Sequence, residues 1–224
     1  MVLISNEEKK RRIAIPSYTL GEELISAISH GVGALLGIAA LVLCIVKSVH
    51  PLDGYKLASS IVFGTTIIIL YLMSCLYHAL KVNKAKRVFR VFDHCTIFLL
   101  IAGTYTPYTL VVLRDTVGWW LFGVIWLIAV VGIVLNAVSL RKFAKLSVAC
   151  YLIMGWMVLV SFGRLKAAMP WNGILLLLWG GLAYTFGAIV YGIGSKKRYF
   201  HSTFHFFCLA GTILHFFSIY LYVL

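Results

Sequence analysis

The run LISAISHGVGALLGIAALVLCIV (24–46) contains 23 consecutive residues without an Asp, Glu, Lys or Arg. An α-helix rises about 1.5 Å per residue, so roughly 20 apolar residues cross the ~30 Å hydrocarbon core of a bilayer. The run is too long for the apolar segment of a cleaved signal peptide, and no small-residue cleavage site follows it. It therefore predicts a membrane-spanning helix.

Six further runs of the same kind follow along the chain. They are residues 57–80, 91–113, 117–140, 146–163, 171–194 and 199–224. The connections between them are short, so we expect neighbouring helices to pack antiparallel. Residues 1–23 are polar and are predicted to form a cytoplasmic tail. The sequence thus predicts an all-α integral membrane protein, a bundle of seven transmembrane helices over residues 24–224.

The overall composition supports this fold class. Of the 224 residues, 62% are apolar or aromatic and only 12% are charged, whereas soluble domains average about 45–50% and 25%. This excludes a water-soluble globular enzyme and a fibrous protein. Each of the five cysteines lies in an apolar run and none has CxxC spacing, so we expect buried free thiols rather than a disulfide framework.

The positive charges predict the orientation of the bundle. The formal net charge is +13, from 20 Lys and Arg against 7 Asp and Glu. Fifteen of the 20 lie in the tail and in every second connection after it, and cytoplasmic loops are the ones that collect such residues. We therefore expect a cytoplasmic N-terminus and an extracytoplasmic C-terminus. This topology explains the basic charge, and we expect no nucleic-acid partner.

Ionisable residues inside the apolar runs are candidates for function, because charged groups are costly in a bilayer. Asp93 is interpreted as the only carboxylate in any of these runs. The predicted topology places it at the cytoplasmic start of the third helix, beside His78 at the end of the second helix. His201 and His205 lie in the first two turns of the seventh helix, at the same depth.

The histidine spacing is typical of a metal site. His201 and His205 are four residues apart, on one face of a helix, and two histidines so placed can hold one ion. His78 would be the third ligand, and three protein ligands plus water form the usual catalytic zinc site. Asp93 could orient that water or accept its proton, with Ser74 one turn before His78. The alternative is that these side chains pair with headgroups or neighbouring cations, since a lone HxxxH is weak evidence.

His30 lies near the same layer, in the second turn of the first helix. It is interpreted either as a residue that supports the metal ligands or as an ordinary packed histidine. Gly33 and Gly37 form a GxxxG pattern on that helix, which is typical of close helix packing and would permit a homodimer.

Four segments of the chain resemble the hemolysin III family, the bacterial branch of the progestin and adipoQ receptor family that includes the adiponectin receptors. They are SCLYHAL (74–80), FDHCTIFLLIAGTYTP (92–107), HSTFHFFCLAGTILHF (201–216) and EELISAISHGVGALLG (22–37). The resemblance covers about residue 20 to the end of the chain. It implies a multi-pass protein of the bacterial plasma membrane.

The resemblance also implies a zinc ion near the cytoplasmic face. Its ligands would fall on His78, His201 and His205, the family aspartate on Asp93 and the motif serine on Ser74. In the first-helix motif, Glu23 and His30 keep their places. Ser26 stands where the family usually has Asn, and Ser29 where it usually has Thr.

Three functions remain open at this point. The wider superfamily includes alkaline ceramidases, which implies a metal-dependent hydrolase of lipid amides or esters, with membrane lipids as partners and substrates. The family name instead reflects a proposed pore-forming, cell-lysing activity. A membrane-lipid sensor with structural zinc is the third reading. A pore would need polar residues along the whole depth of several helices, whereas here they concentrate at one end. The set of three candidate ligands with a nearby carboxylate favours the hydrolase.

Overall fold

A computed structural model describes residues 15–194 and 197–224 of the chain. These residues form helices and no strand beyond one isolated bridge between Val49 and Leu52. The α-helices are α1 (Leu20–Ser48), α2 (Gly54–Ala79), α3 (Lys84–Pro107), α4 (Trp119–Trp156), α5 (Phe162–Ala168), α6 (Trp171–Ile193) and α7 (Phe200–Tyr222). Four basic residues of the predicted tail (Lys9, Lys10, Arg11 and Arg12) lie outside the described residues, as does Lys196.

Six helical segments of the described chain are long and apolar enough to cross a membrane. They are Leu20–Ser48, Gly54–Ala79, Lys84–Val112, Arg114–Ala168, Trp171–Ile193 and Phe200–Tyr222. The all-α membrane fold is thereby confirmed. Seven separate spanning helices are not observed, because the segment Arg114–Ala168 covers both of the predicted runs 117–140 and 146–163 without a loop between them.

That 55-residue segment is not straight. Ser139 has extended backbone angles (φ −162°, ψ 92°) inside α4. The Asn136 amide nitrogen lies 3.3 Å from the Tyr151 hydroxyl, and Ser147 donates to Asn136 Oδ1 at 2.6 Å. Fifteen residues of straight helix would separate Asn136 and Tyr151 by about 22 Å. The chain therefore turns back on itself around Ser139.

Both halves of α4 pack against α3. Before the turn, Trp126 donates to Thr106 and Ile133 accepts from Cys95, so this half runs antiparallel to α3. After the turn, Tyr151 donates to the carbonyl of His94, and Tyr105 donates to that of Gly155, so this half runs parallel to α3. Of the six apolar segments, the one containing α3 has the largest buried share, and α3 is the central helix of the bundle.

Helix α1 begins earlier than the hydrophobic run predicted. Thr19 and Glu22 form a capping box, in which each side chain bonds the backbone of the other and satisfies free N–H groups of the first turn. The helix therefore starts at Leu20 rather than residue 24. Asp93 is the only carboxylate in the predicted apolar runs, but α1 extends beyond its run and carries Glu22 and Glu23 in its first turn.

The GxxxG pattern of α1 packs within the chain. A Cβ at Gly33 would lie 2.7 Å from Tyr71, and one at Gly37 would lie 2.7 Å from Ile67, so both glycines face α2 at close approach. The motif therefore serves close packing of α1 against α2 within the chain, and the homodimer stays a prediction.

We predict that Gly33→Ala lowers the free energy of unfolding by about 1–3 kcal/mol, the usual cost of overpacking a core. The Tyr71 ring cannot retreat, because it is fully buried and its hydroxyl is hydrogen-bonded to Thr212 at 2.7 Å. Thermal unfolding of the detergent-purified protein measures the change.

Gly31→Ala is the matched control for this prediction. A Cβ at Gly31 would meet only Cys75 Sγ at 3.4 Å, an ordinary contact. The higher helix propensity of Ala should leave stability unchanged or raise it by up to about 1 kcal/mol. Equal destabilisation by the two variants would contradict the close approach at Gly33.

Candidate metal centre

Three histidines meet at the junction of α2 and α7. His78 lies in the last turn of α2, while His201 and His205 lie in the first two turns of α7. The Nε2 atom of His201 lies 3.2 Å from that of His78 and 3.2 Å from that of His205. The three ligand atoms are all within 4.8 Å of one another. The predicted grouping of these histidines is therefore confirmed as close enough to bind a metal ion.

The spacing fits a tetrahedral ion. Metal–nitrogen bonds of about 2.0–2.1 Å in tetrahedral geometry place neighbouring ligand atoms about 3.3 Å apart, close to the observed 3.2 Å. Three imidazole nitrogens that converge on one point cannot all satisfy one another, since a neutral imidazole has one donor and one acceptor. A cation would take all three lone pairs.

A carboxylate fixes the orientation of His78. His78 Nδ1 donates to Glu23 Oε2 at 2.7 Å, which leaves the lone pair on Nε2 for a metal. Glu23 Oε1 accepts from the Lys86 ammonium at 2.6 Å, and Lys86 also donates to the carbonyl of Leu80 at 2.9 Å. Lys86 is only 1% exposed. Helices α1, α2 and α3 thus contribute one group each to a buried ion-paired network.

Glu23 was missed as a site residue because the predicted first helix began one residue after it. Its place in the first-helix motif was the available signal, but that motif carried no role for the carboxylate. Lys86 was also missed, since it was counted among the basic residues of a cytoplasmic loop. Its sequence position shows nothing of its burial.

The start of α7 is tied to the start of α1. Glu22 Oε1 accepts from the backbone N–H of Tyr199, while Oε2 accepts from Thr19. Ser26 and Ser202 share a hydrogen bond of 3.1 Å between their hydroxyls. Ser26, which replaces the usual Asn of the motif, therefore still connects α1 to the residue next to His201.

Aromatic rings pack against the metal-ligand candidates. His30 stacks on His205 with ring centroids 3.7 Å apart and planes 17° apart, and the Tyr71 ring packs edge-on against His30. Tyr18 stacks on His201 with centroids 4.7 Å apart. His30 therefore touches a candidate ligand but does not join the group of ligand atoms. The role of Tyr18 had no signal in the sequence.

Asp93 lies in α3 and is buried. Its Oδ2 atom lies 3.4 Å from His94 Nδ1, and the buried Ser74 hydroxyl lies beside its carboxylate. Asp93, His201 and His205 line the same cavity. The residues predicted from three separate helices are thus brought to one place, while the catalytic roles of Asp93 and Ser74 stay predictions.

The cavity has a volume of about 1240 Å³ and runs between α3, α4, α6 and α7. Asp93, His201 and His205 lie towards one end of it. Tyr108, Leu177 and His215 line it on the far side, and His215 Nε2 donates to the carbonyl of Leu177 at 3.0 Å. Most of the remaining lining side chains are apolar. The candidate metal centre therefore adjoins a long apolar cavity.

The chain is similar over most of its length to known proteins of one family. A sequence profile of the family described as "Haemolysin-III related" matches residues 18–216. The chain is 39% identical to "Hemolysin-3" of Bacillus cereus over 203 residues, which cover 91% of this chain and 92% of that protein. It is 37% identical to "Hemolysin-3 homolog" of Bacillus subtilis (strain 168) over 205 residues, 92% of this chain and 96% of that protein.

We predict that Glu23→Gln weakens metal binding by about 10–100-fold, the usual effect of losing the carboxylate behind a ligand histidine. The neutral amide cannot pair with both the His78 N–H and the Lys86 ammonium. Competition with a chromogenic chelator measures the affinity.

Asp53→Asn is the control, because it removes one carboxylate at the far end of α2, where Asn caps a helix as well as Asp does. Its metal affinity should equal that of the parent. An unchanged affinity in Glu23→Gln would show that Glu23 does not act through His78.

Proposed function

The chain belongs to the Haemolysin-III related family, and from that membership we propose that it is a zinc-dependent intramembrane hydrolase of lipid amides or esters. One observation carries the proposal. The ligand atoms of His78, His201 and His205 lie within 4.8 Å of one another. His201 and His205 also line a cavity that Asp93 lines too and that continues between apolar side chains.

Zinc is proposed because of the donor set. Neutral imidazoles suit zinc among the first-row metals, and three protein ligands leave the fourth position of a tetrahedral site open for chemistry. The three histidines would hold the ion, with Glu23 behind His78. When bound, zinc acts as a Lewis acid that polarises a carbonyl and acidifies water.

The residues of the chain would supply the proton transfers. Asp93 would accept a proton from the water whose oxygen attacks the carbonyl carbon, and would return it to the amine or alcohol as the C–N or C–O bond breaks. The products would be a fatty acid and the released amine or alcohol. Ser74 would hold the Asp93 carboxylate in place. His30 would prevent the ring of His205 from turning.

We also propose a membrane topology with seven crossings. The turn at Ser139 brings Tyr151 back beside Asn136, which supports two membrane crossings within residues 119–161 and hence seven in all. With the basic residues distributed as described, the N-terminus would lie in the cytoplasm and the C-terminus outside. The candidate metal centre would then face the cytoplasmic side of a bacterial plasma membrane.

Two other functions have specific support. The relatives are named Hemolysin-3, which favours a cytolysin. The network of Glu23, His78 and Lys86 joins three helices, which favours a structural metal in a membrane-lipid sensor. Dye release from liposomes would support the cytolysin. A loss of thermal stability on metal removal, with no turnover of any lipid by the parent, would support the sensor.

We predict about one zinc per chain in the purified protein and none in the double variant His201→Ala/His205→Ala, measured by elemental mass spectrometry. The variant removes two of three ligands, so hydrolysis of fluorescent N-acyl amide and acyl ester lipids should also be lost. The exposed His50, at the other end of α1, provides the control His50→Ala, which should keep both properties. Hydrolysis retained in the double variant would refute the proposed function.

We predict that Asp93→Asn keeps the zinc and loses about 10²–10⁴-fold in hydrolysis rate, the usual contribution of a general base. Asn preserves the size and polarity of the side chain but cannot accept the proton. Metal content and turnover of the same fluorescent lipids are measured on one preparation. Loss of zinc in this variant would instead assign Asp93 to metal binding.

A further inference from the structure

The cavity beside the metal centre is lined by basic residues at one end. The basic lining residues are Arg90, Arg141 and Lys145. Among the described residues that line the cavity, Asp93 is the only acidic one. Arg141 and Lys145 are exposed and follow the turn at Ser139. Arg90 is half-buried and lies one helical turn before Asp93 on α3. This end of the cavity therefore carries a net positive charge beside the candidate metal ligands.

One face of α4 changes character along its length. Arg141 and Lys145 are four residues apart and share a face, which continues through Val148 and Leu152, and all four line the cavity. The face is thus cationic for one turn and apolar beyond it. A lipid has the same order, a polar headgroup followed by an acyl chain.

We propose that the cavity binds an acyl lipid with an anionic phosphate headgroup. The headgroup lies against Arg90, Arg141 and Lys145, and an acyl chain extends towards Tyr108 and His215. The proposal that this lipid binds rests on the lining of the cavity alone. The step in which such a lipid loses its fatty acid rests on the proposed function.

The dimensions agree with this occupant. Along α3, the cavity lining extends from Arg90 to Tyr108, about 27 Å of helix. An acyl chain fills about half of a ~30 Å hydrocarbon core, or roughly 15 Å. With the headgroup at Arg90, the first carbonyl of the lipid falls near Asp93, His201 and His205. The remaining length is sufficient for the chain.

The general preference for basic cytoplasmic loops does not account for this arrangement. Lys142 lies in the same turn as Arg141 and Lys145 but does not line the cavity, and neither does Lys84 at the start of α3. A topological signal depends on the number of basic residues in a loop and not on whether their side chains line the cavity. Lipid binding requires those that line the cavity, and the two requirements can be separated by mutation.

The test compares phosphatidylglycerol with phosphatidylcholine of identical acyl chains, by competition against a fluorescent lipid bound to the detergent-purified full chain. We expect at least about tenfold tighter binding of phosphatidylglycerol to the parent. Arg141→Gln/Lys145→Gln should remove most of that preference, at roughly fivefold per cation. The control Lys142→Gln/Lys84→Gln removes the same charge and should keep the preference.

Equal loss in both double variants, or no preference in the parent, would overturn the proposal, as would competition by glycerol phosphate alone, which would indicate a site for free anions. The two proposals fail separately. A preference for phosphatidylglycerol without hydrolysis of any lipid would refute only the hydrolase. Hydrolysis of neutral lipids without a charge preference would refute only the anionic headgroup.

Discussion

The hydrogen bond between Glu23 and His78 is the interaction on which the rest of the site depends. A half-buried carboxylate within a helix bundle is costly unless it is paired, and the partners of Glu23 come from two other helices. The His78 N–H and the Lys86 ammonium satisfy its two oxygens at 2.7 and 2.6 Å. The same contacts that make Glu23 tolerable also pack α1 against α2 and α3 and aim His78 Nε2 at the other two histidines.

Helix α3 extends this constraint from the site to the whole bundle. It contributes Lys86 to the network, Asp93 to the centre and one wall of the cavity, and both halves of α4 lie against it. Because the second half of α4 runs back alongside α3, the face carrying Arg141 and Lys145 lines the cavity near Asp93. The turn at Ser139 therefore decides which basic side chains line the cavity beside the centre.

The agreement between prediction and structure is best where the interactions are local. The pairing of His201 and His205 follows from helix geometry alone, because residues four apart share a face. The helix bounds were less accurate. Hydrophobicity could not show that Thr19 and Glu22 cap α1 at Leu20, and this error excluded Glu23. The hydrophobic pattern also predicted a loop between the runs 117–140 and 146–163. In the structure, helix continues on both sides of Ser139.

By itself the sequence determined the all-α membrane class and the residues able to bind a metal, because apolar length and helical spacing are properties of short segments. The tertiary structure decided which groups surround them. Glu23 and His78 are 55 residues apart and His78 and His201 are 123 apart, and no local pattern records such contacts. From the sequence, Lys86 was predicted to be a loop cation, but it is buried in the structure. Burial depends on which helices pack around a residue, and the local sequence does not specify that.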